Sequence, residues 1–167
     1  MTDVLTRFRA QKDLFFREDP DSPVDAATFS GLRYYPLSAA HVLRARLEPL
    51  EREVVMLVTS IGDAQPYVRA GRAAFELGGQ PLALMLYRPT YETEVERFFI
   101  PFKDATSGVE TYGAGRYLEA ARLPDGHVLL DFNYAYNPFC AYNGRYRCPL
   151  PPAENRLPLP IHAGEKL

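Results

Sequence analysis

Every asparagine in the chain, Asn133, Asn137, Asn143 and Asn155, lies between residues 131 and 155, together with both cysteines, Cys140 and Cys148. Amides, tyrosines, prolines and two thiols in one segment fit three kinds of chemistry. The thiols could ligate a metal or act as a redox pair, the amides and rings could line a ligand pocket, or the whole could be turns pinned by side-chain hydrogen bonds. A second cluster, DATSGVETYGAGRY at 104–117, sets Asp104, Thr106, Ser107, Glu110, Thr111, Tyr112 and Arg116 around three glycines. Backbone N–H groups near Ser107 and Gly108 could form an anion-binding nest, and Arg116 could offer a two-pronged fork to a carboxylate or phosphate. The structural alternative is a loop whose Asp, Ser and Thr side chains satisfy their own backbone.

If DFNYAYN (131–137) runs extended, Asp131, Asn133, Ala135 and Asn137 share one face and Phe132, Tyr134 and Tyr136 the other. Asp131 follows directly on an apolar run, and a carboxylate leaving a buried strand needs a partner; Arg116 is the nearest candidate. Asn143-Gly144 carries the signature of a type I′ hairpin turn. A two-residue turn there places Cys140 and Cys148 on opposite faces, whereas a three-residue turn sets them opposite one another, within reach of a disulfide or a shared metal. Zinc would need two more ligands, and His41, His127 and His162 stand at no familiar spacing, so buried free thiols are the expectation.

Prolines at 149, 151, 152, 158 and 160 exclude a central strand and predict an extended strap, with Leu157, Leu159 and Ile161 dipping inward and Glu154 and Asn155 bonding to neighbouring backbone. Asp104, Asp131, Glu154 and Glu165 are the carboxylates that could pair for acid–base catalysis, with or without a divalent metal. Neither a GxSxG elbow nor the glycine pattern of a dinucleotide fold is present.

These residues need a scaffold. Near the N-terminus Val4, Leu5, Phe8, Phe15 and Phe16 recur at helical spacing, and Thr2 or Asp3 can cap the first turn; a docking helix over 3–16 is predicted, ended by DPDSP. AATF before Gly31 reads as one more helical turn. From Leu32 the period changes to two. HVLRARLE, EVVMLVT, PYVRAGRAAFEL, PLALMLY, RFFIPF, GRYLEAA and HVLLDFNYA read as strands, with Gly78-Gly79 and Asp125-Gly126 as hairpin turns and Gly71 as a bulge. The predicted fold is mainly β, an antiparallel barrel or rolled sandwich of about 8–10 strands with the N-terminal helix packed against it.

The 167 residues, 47% apolar, suffice for a full core, and one domain is expected: helix 3–16, β body 32–148 and proline-rich strap 149–167. With 19 basic against 21 acidic residues and no massed charge, neither nucleic acid nor a membrane surface is an expected partner. The opening residues carry early charges and lack the apolar run of a leader or a span, which makes the cytoplasm the expected compartment.

The segments DATSGVETYGAGRY, DFNYAYNPFCAYN and CPLPPAENRLPLPIHAGEK together resemble a bacterial and archaeal family known as the domain-of-unknown-function family numbered 1684. FRAQKDLFF and FSGLRYYPL are similar to that family's opening segment, so the resemblance spans most of the chain. Phe139 stands where the family often has a second proline. No activity is implied, but the resemblance groups the two clusters as one unit.

The function expected from these residues is binding of a small polar or anionic molecule in a pocket between the 104–117 loop and the 131–155 segment. Ser107, Tyr112, Arg116, Asp131, Asn133, Tyr136 and Asn137 are its candidate lining. No cofactor is expected. The alternatives are a hydrolase-type enzyme with paired carboxylates, and a structural or protein-interaction domain, with a homo-oligomer open in either case.

Overall fold

In the computed structural model the chain is described over residues 2–93 and 96–167, without the side chain of Thr2. After helix α1 (Thr2–Glu18) come β1 (Arg33–Tyr34), β2 (Val42–Val58), β3 (Ala64–Leu77), β4 (Gln80–Pro89), β5 (Arg97–Phe102), β6 (Arg116–Arg122), β7 (Val128–Asp131) and β8 (Glu165–Lys166). β2 to β7 close into an antiparallel barrel in sequence order, and β1 pairs with β8 in a separate two-stranded sheet. The sandwich alternative is therefore set aside. Alternation fills the interior: Phe98, Ile100 and Phe102 of β5, Leu118 and Ala120 of β6, Leu84 and Leu86 of β4 and Val128 and Leu130 of β7 meet in one core. A barrel this small is packed solid by its own side chains, so a ligand must bind outside it.

HVLRARLE and EVVMLVT, expected as two strands, run on as the single strand β2. It slips register against β3 between Pro49 and Glu53. At the same level β3 slips against β4 between Arg69 and Gly71, the bulge expected at that glycine. A Cβ on Gly71 would stand 3.0 Å from Leu47 Cδ1 and 3.3 Å from Glu48 O, so a side chain there would push β2 away. The paired irregularities let the hairpin bend towards closure. Gly78 and Gly79, at φ of 59° and 74°, join β3 to β4 in the expected tight turn.

The weak seam of the barrel lies between β4 and β5, which pair only at Tyr87 and Phe99. The strap closes it. Asn155, fully buried, accepts from Met85 N at 2.7 Å and donates Nδ2 to Met85 O at 3.0 Å and Pro101 O at 2.9 Å. One side-chain amide thus replaces missing ladder bonds between two strands. Leu157 and Ile161 are buried and Leu159 packs against the core, as their alternation predicts.

Hydrophobic spacing identified the two ends of the face by which α1 docks, and cations fill the middle. Leu5 and Phe16 are buried and Phe15 stacks on Phe139 at 6.4 Å between rings, whereas Val4 is exposed and Phe8, itself exposed, meets Tyr134 at 5.0 Å between rings. Between Leu5 and Phe16 lie cationic contacts. Arg9 donates to Tyr35 O at 3.1 Å and Asn133 O at 3.3 Å, and Lys12 bonds the buried Glu165. Leu5, Arg9, Lys12 and Phe16 stand at helical intervals, so long cationic stems contribute to the docking face. Of the two expected caps, the Thr2 side chain lies outside the described residues and Asp3 accepts from Arg7. The AATF segment forms a turn in which Phe29 N donates to Asp25 O at 3.0 Å. No helix among the described residues is long and apolar enough to cross a membrane.

Two local expectations fail. DFNYAYN does not continue as a strand: Asp131 accepts from Asn133 N at 3.0 Å and starts a helical turn over Phe132–Tyr134, which removes the two-face alternation. No hairpin forms at Asn143-Gly144 either. A helical turn covers Phe139–Ala141, and Asn143 Oδ1 accepts from Arg145 N at 3.1 Å in an Asx turn. With no flanking strands, neither cysteine register applies.

Candidate functional site

Outward-facing residues of the barrel wall build a cleft of about 620 Å³ where β4 and β5 part and the 131–155 segment folds over them. On β5, Arg97 and Phe99 point away from the core that Phe98 and Ile100 enter; on β6, Tyr117 and Glu119 do so opposite Leu118 and Ala120. Register then sets neighbours. Tyr87 faces Phe99, Phe99 faces Glu119, and Tyr67 of β3 faces Pro89. Four rings run across the cleft: Tyr67 lies 5.7 Å from Phe99, Phe99 4.7 Å edge-on from Tyr117, and Tyr117 5.6 Å edge-on from Tyr136. Such edge contacts hold aromatic walls rigid.

Polar groups converge on this wall. Tyr136 donates its hydroxyl to Glu119 Oε1 at 3.0 Å, and the backbones of Tyr117 and Tyr136 exchange hydrogen bonds of 2.8 and 2.9 Å. Tyr117 donates its hydroxyl to Pro149 O at 2.5 Å, fixing the far side of the segment. Glu119 is exposed on the outer face of β6, but the groups crowding its carboxylate remove part of its water and raise its pKa, against the opposing pull of the Tyr136 hydrogen bond and the Arg97 charge. Arg88 donates Nε to Arg97 O at 3.1 Å and lies 4.6 Å over the Phe98 ring. Carboxylate, guanidinium and aromatic surfaces thus border one opening, a combination suited to a ligand that carries both a hydrogen-bond donor and an anionic group.

Residues 27–166 match the family described as "Protein of unknown function (DUF1684)". The chain belongs to this family. The DUF1684 chain is also similar, at 34% identity and a TM-score of 0.77, to the solution NMR structure of an uncharacterized protein of Haloarcula marismortui. That match covers 99% of this chain and 94% of the archaeal one. No curated protein matches the chain.

In this DUF1684 barrel the residues singled out by sequence divide among several tasks. Arg116 is 1% exposed: it donates to Ala163 O at 2.6 Å, Glu165 O at 2.9 Å and Ile161 O at 2.9 Å, and lies 3.4 Å from Asp104 Oδ2. Its fork therefore clamps the C-terminal strap. The expected ion pair with Asp131 is replaced by the one with Asp104, because Asp131 is occupied as the cap of its own turn. Burial lowers the Arg116 pKa against the pull of Asp104.

The rest of the 104–117 loop follows the structural alternative. Thr106 donates to Asp104 at 2.9 and 3.0 Å, Ser107 Oγ donates to Asp104 Oδ1 at 3.3 Å, and Ile161 N donates to Asp104 Oδ2 at 2.5 Å. The amides proposed for a nest are taken, Ser107 N by Asp104 O at 3.1 Å and Gly108 N by Thr111 O at 2.9 Å. Asn133, also buried, ties the segment to Ser38 through Ser38 N at 2.8 Å and Ser38 O at 3.0 Å. Tyr136 alone of the seven candidate binding residues lines the cleft; Asn137 lines a separate pocket.

The four carboxylates proposed for catalysis each hold different donors. Asp104 and Asp131 are accounted for above. Glu154 pairs with Arg69 at 2.8 Å and accepts from Tyr87, and Glu165 is buried with Lys12, Asn137 N at 2.7 Å and Tyr142 at 3.3 Å. Among the described residues no group of three or more His, Cys, Asp or Glu side chains is placed to hold a metal ion. Cys140 and Cys148 are buried free thiols that pack together with Tyr117, and Tyr112 donates to Cys140 Sγ at 3.8 Å. Burial pushes the Cys148 thiol up to about 11.

Glu119, Phe99, Tyr67 and the two arginines escaped the sequence reading. The signal was present in alternation: in RFFIPF and GRYLEAA each polar or aromatic residue out of phase with the core is an outward residue. What was missing was which part of the outer wall another segment covers.

Proposed function

We propose that this domain binds a small polar ligand in the outer cleft, with its flat part on Phe99 and Tyr117, a hydrogen-bond donor on Glu119 and an anionic group towards Arg97. The observation that carries this reading is the convergence of Glu119, positioned by the Tyr136 hydroxyl, with a wall of four mutually packed rings. The function lies between the two clusters anticipated from the sequence, but on their outer side: Tyr117 and Tyr136 supply one wall, and Pro149 the rim. Rigid rings lose little entropy on binding, and a carboxylate with a raised pKa is a receptive partner for a donor.

The test is a titration of isotopically labelled full-length protein, followed by amide NMR, with four probes: arginine, choline, citrate and glucose. Arginine, which carries both a donor and a carboxylate, is expected to shift the amides of Phe99, Tyr117, Glu119 and Tyr136 saturably, and Glu119→Gln should weaken that binding. If no probe moves those amides, the cleft reading is wrong.

A further inference from the structure

Tyr136 and Asn137 are consecutive, yet they line two pockets that share no residue. The second, of about 300 Å³, lies between the 24–33 segment, the end of the chain and the 137–142 turn. Two of its lining residues, Asn137 and Tyr142, belong to a polar network around the buried Glu165. Glu165 accepts from Asn137 N at 2.7 Å, from Lys12 and from the Tyr142 hydroxyl at 3.3 Å. A carboxylate bridged by a lysine accepts only, so Tyr142 spends its single proton on Glu165, and its oxygen takes the hydrogen bond from Asn137 Nδ2 at 3.1 Å. That order fixes the amide: Asn137 Oδ1 is an acceptor. Asn137 is 1% exposed, and this oxygen has no donor among the described residues. An unpaired buried acceptor is costly, and a ligand N–H or O–H would relieve it.

The rest of the lining adds two further requirements. Val24, Phe29 and Leu32 make the sides apolar. Arg33 and Lys166 are direct cross-strand partners in the β1–β8 pair and both line the pocket. Like charges directly opposite repel, and neither has a carboxylate partner among the described residues, although Lys166 Nζ lies 5.2 Å over the Tyr35 ring. The nearby Asp13 is taken by Leu32 N at 2.7 Å and Arg17 at 3.4 Å. An anion between the two cations would turn that repulsion into attraction.

We infer that this pocket is a second ligand site, distinct from the outer cleft, for a small amphipathic carboxylate: a terminal hydroxyl or amide on Asn137 Oδ1, an apolar middle against Val24, Phe29 and Leu32, and the carboxylate between Arg33 and Lys166. The lining supplies an amide acceptor, apolar walls and two cations. Three features of one molecule are thereby specified, and each can be removed in turn.

6-Hydroxyhexanoate is the probe, added to the full chain and followed by amide NMR. Saturable shifts are expected at residues 28–33, 137, 142 and 166, with those at Phe99 and Glu119 unmoved. Hexanoate, lacking the donor, should bind about tenfold more weakly, and 1-hexanol, lacking the anion, should be weakened about as much. Asn137→Leu should make hexanoate and 6-hydroxyhexanoate equal. Because that change also removes the bond to Tyr142 and can prevent folding, Arg33→Gln with Lys166→Gln gives the independent measurement, with an expected loss of about tenfold for both acids and little change for 1-hexanol. Equal affinity of the native chain for hexanoate and 6-hydroxyhexanoate, shifts confined to the outer cleft, or no saturable shift, meaning that Asn137 is satisfied by water only, would each overturn the inference.

Discussion

The Tyr136 hydroxyl donates to Glu119 Oε1 across 3.0 Å, joining the asparagine-rich segment to the outer wall of the barrel. Glu119 is the residue on that wall whose carboxyl pKa is raised, chiefly because the cleft removes water from it. The folded chain therefore holds this proton more tightly than the unfolded chain does. The resulting contribution to stability is complete below the ordinary carboxylate value of 4.5 and is lost as pH rises through the elevated one. Glu119→Gln, which cannot ionise, should melt at a higher temperature than the native chain near about pH 7, the two converging near about pH 4. A carbon-detected NMR titration should place the Glu119 midpoint above 4.5, and a midpoint at or below it would contradict the assignment.

Arg116 is expected to be a stability residue. Truncation to Ala strips donors from the carbonyls of Ile161, Ala163 and Glu165 and leaves Asp104 buried without its counter-ion. A loss of about 3–5 kcal/mol in urea unfolding is expected. Arg116→Lys should recover only part of it, because one ammonium cannot reproduce a planar fork reaching three carbonyls and a carboxylate.

Asn155 makes a sharper distinction between charge and shape. Asn155→Ala leaves Met85 N, Met85 O and Pro101 O without their partner and should cost about 2–4 kcal/mol. Asn155→Asp keeps the acceptor for Met85 N but points a second oxygen at two carbonyls, so it should be worse than Ala at neutral pH and improve as the carboxylate protonates. Hydrogen exchange at Met85 would report the opened seam directly.

The Cys148 thiol, pushed up to about 11 by burial, should react slowly with a disulfide reagent in the native protein near about pH 8. Unfolding in denaturant should expose both thiols and accelerate the reaction sharply. Rapid native-state modification of Cys148 would show that the packing around Tyr117 opens far more readily than its burial implies.

The sequence by itself determined what depends on neighbours along the chain. Period-two alternation in HVLRARLE and short apolar runs such as RFFIPF and PLALMLY bounded by turn residues marked the strands, Gly78-Gly79 marked a turn because both positions need positive φ, and the spaced prolines marked a strap. Family membership was legible for the same reason: it rests on ordered local motifs. Partners across space were decided only by the tertiary structure. Arg116 meets Asp104 and the strap carbonyls because barrel closure brings the C-terminal residues beside β6, and Asp131 turns back on Asn133 because a short side chain can satisfy the nearest amide. Asn143-Gly144 makes no hairpin, since a type I′ turn is favourable only when strands flank it, and here the flanks pack on α1 and the barrel. Glu119 and Phe99 became a site only once Tyr136 folded over them. Alternation states that a side chain points outward; which segment covers it follows from packing that no local pattern encodes.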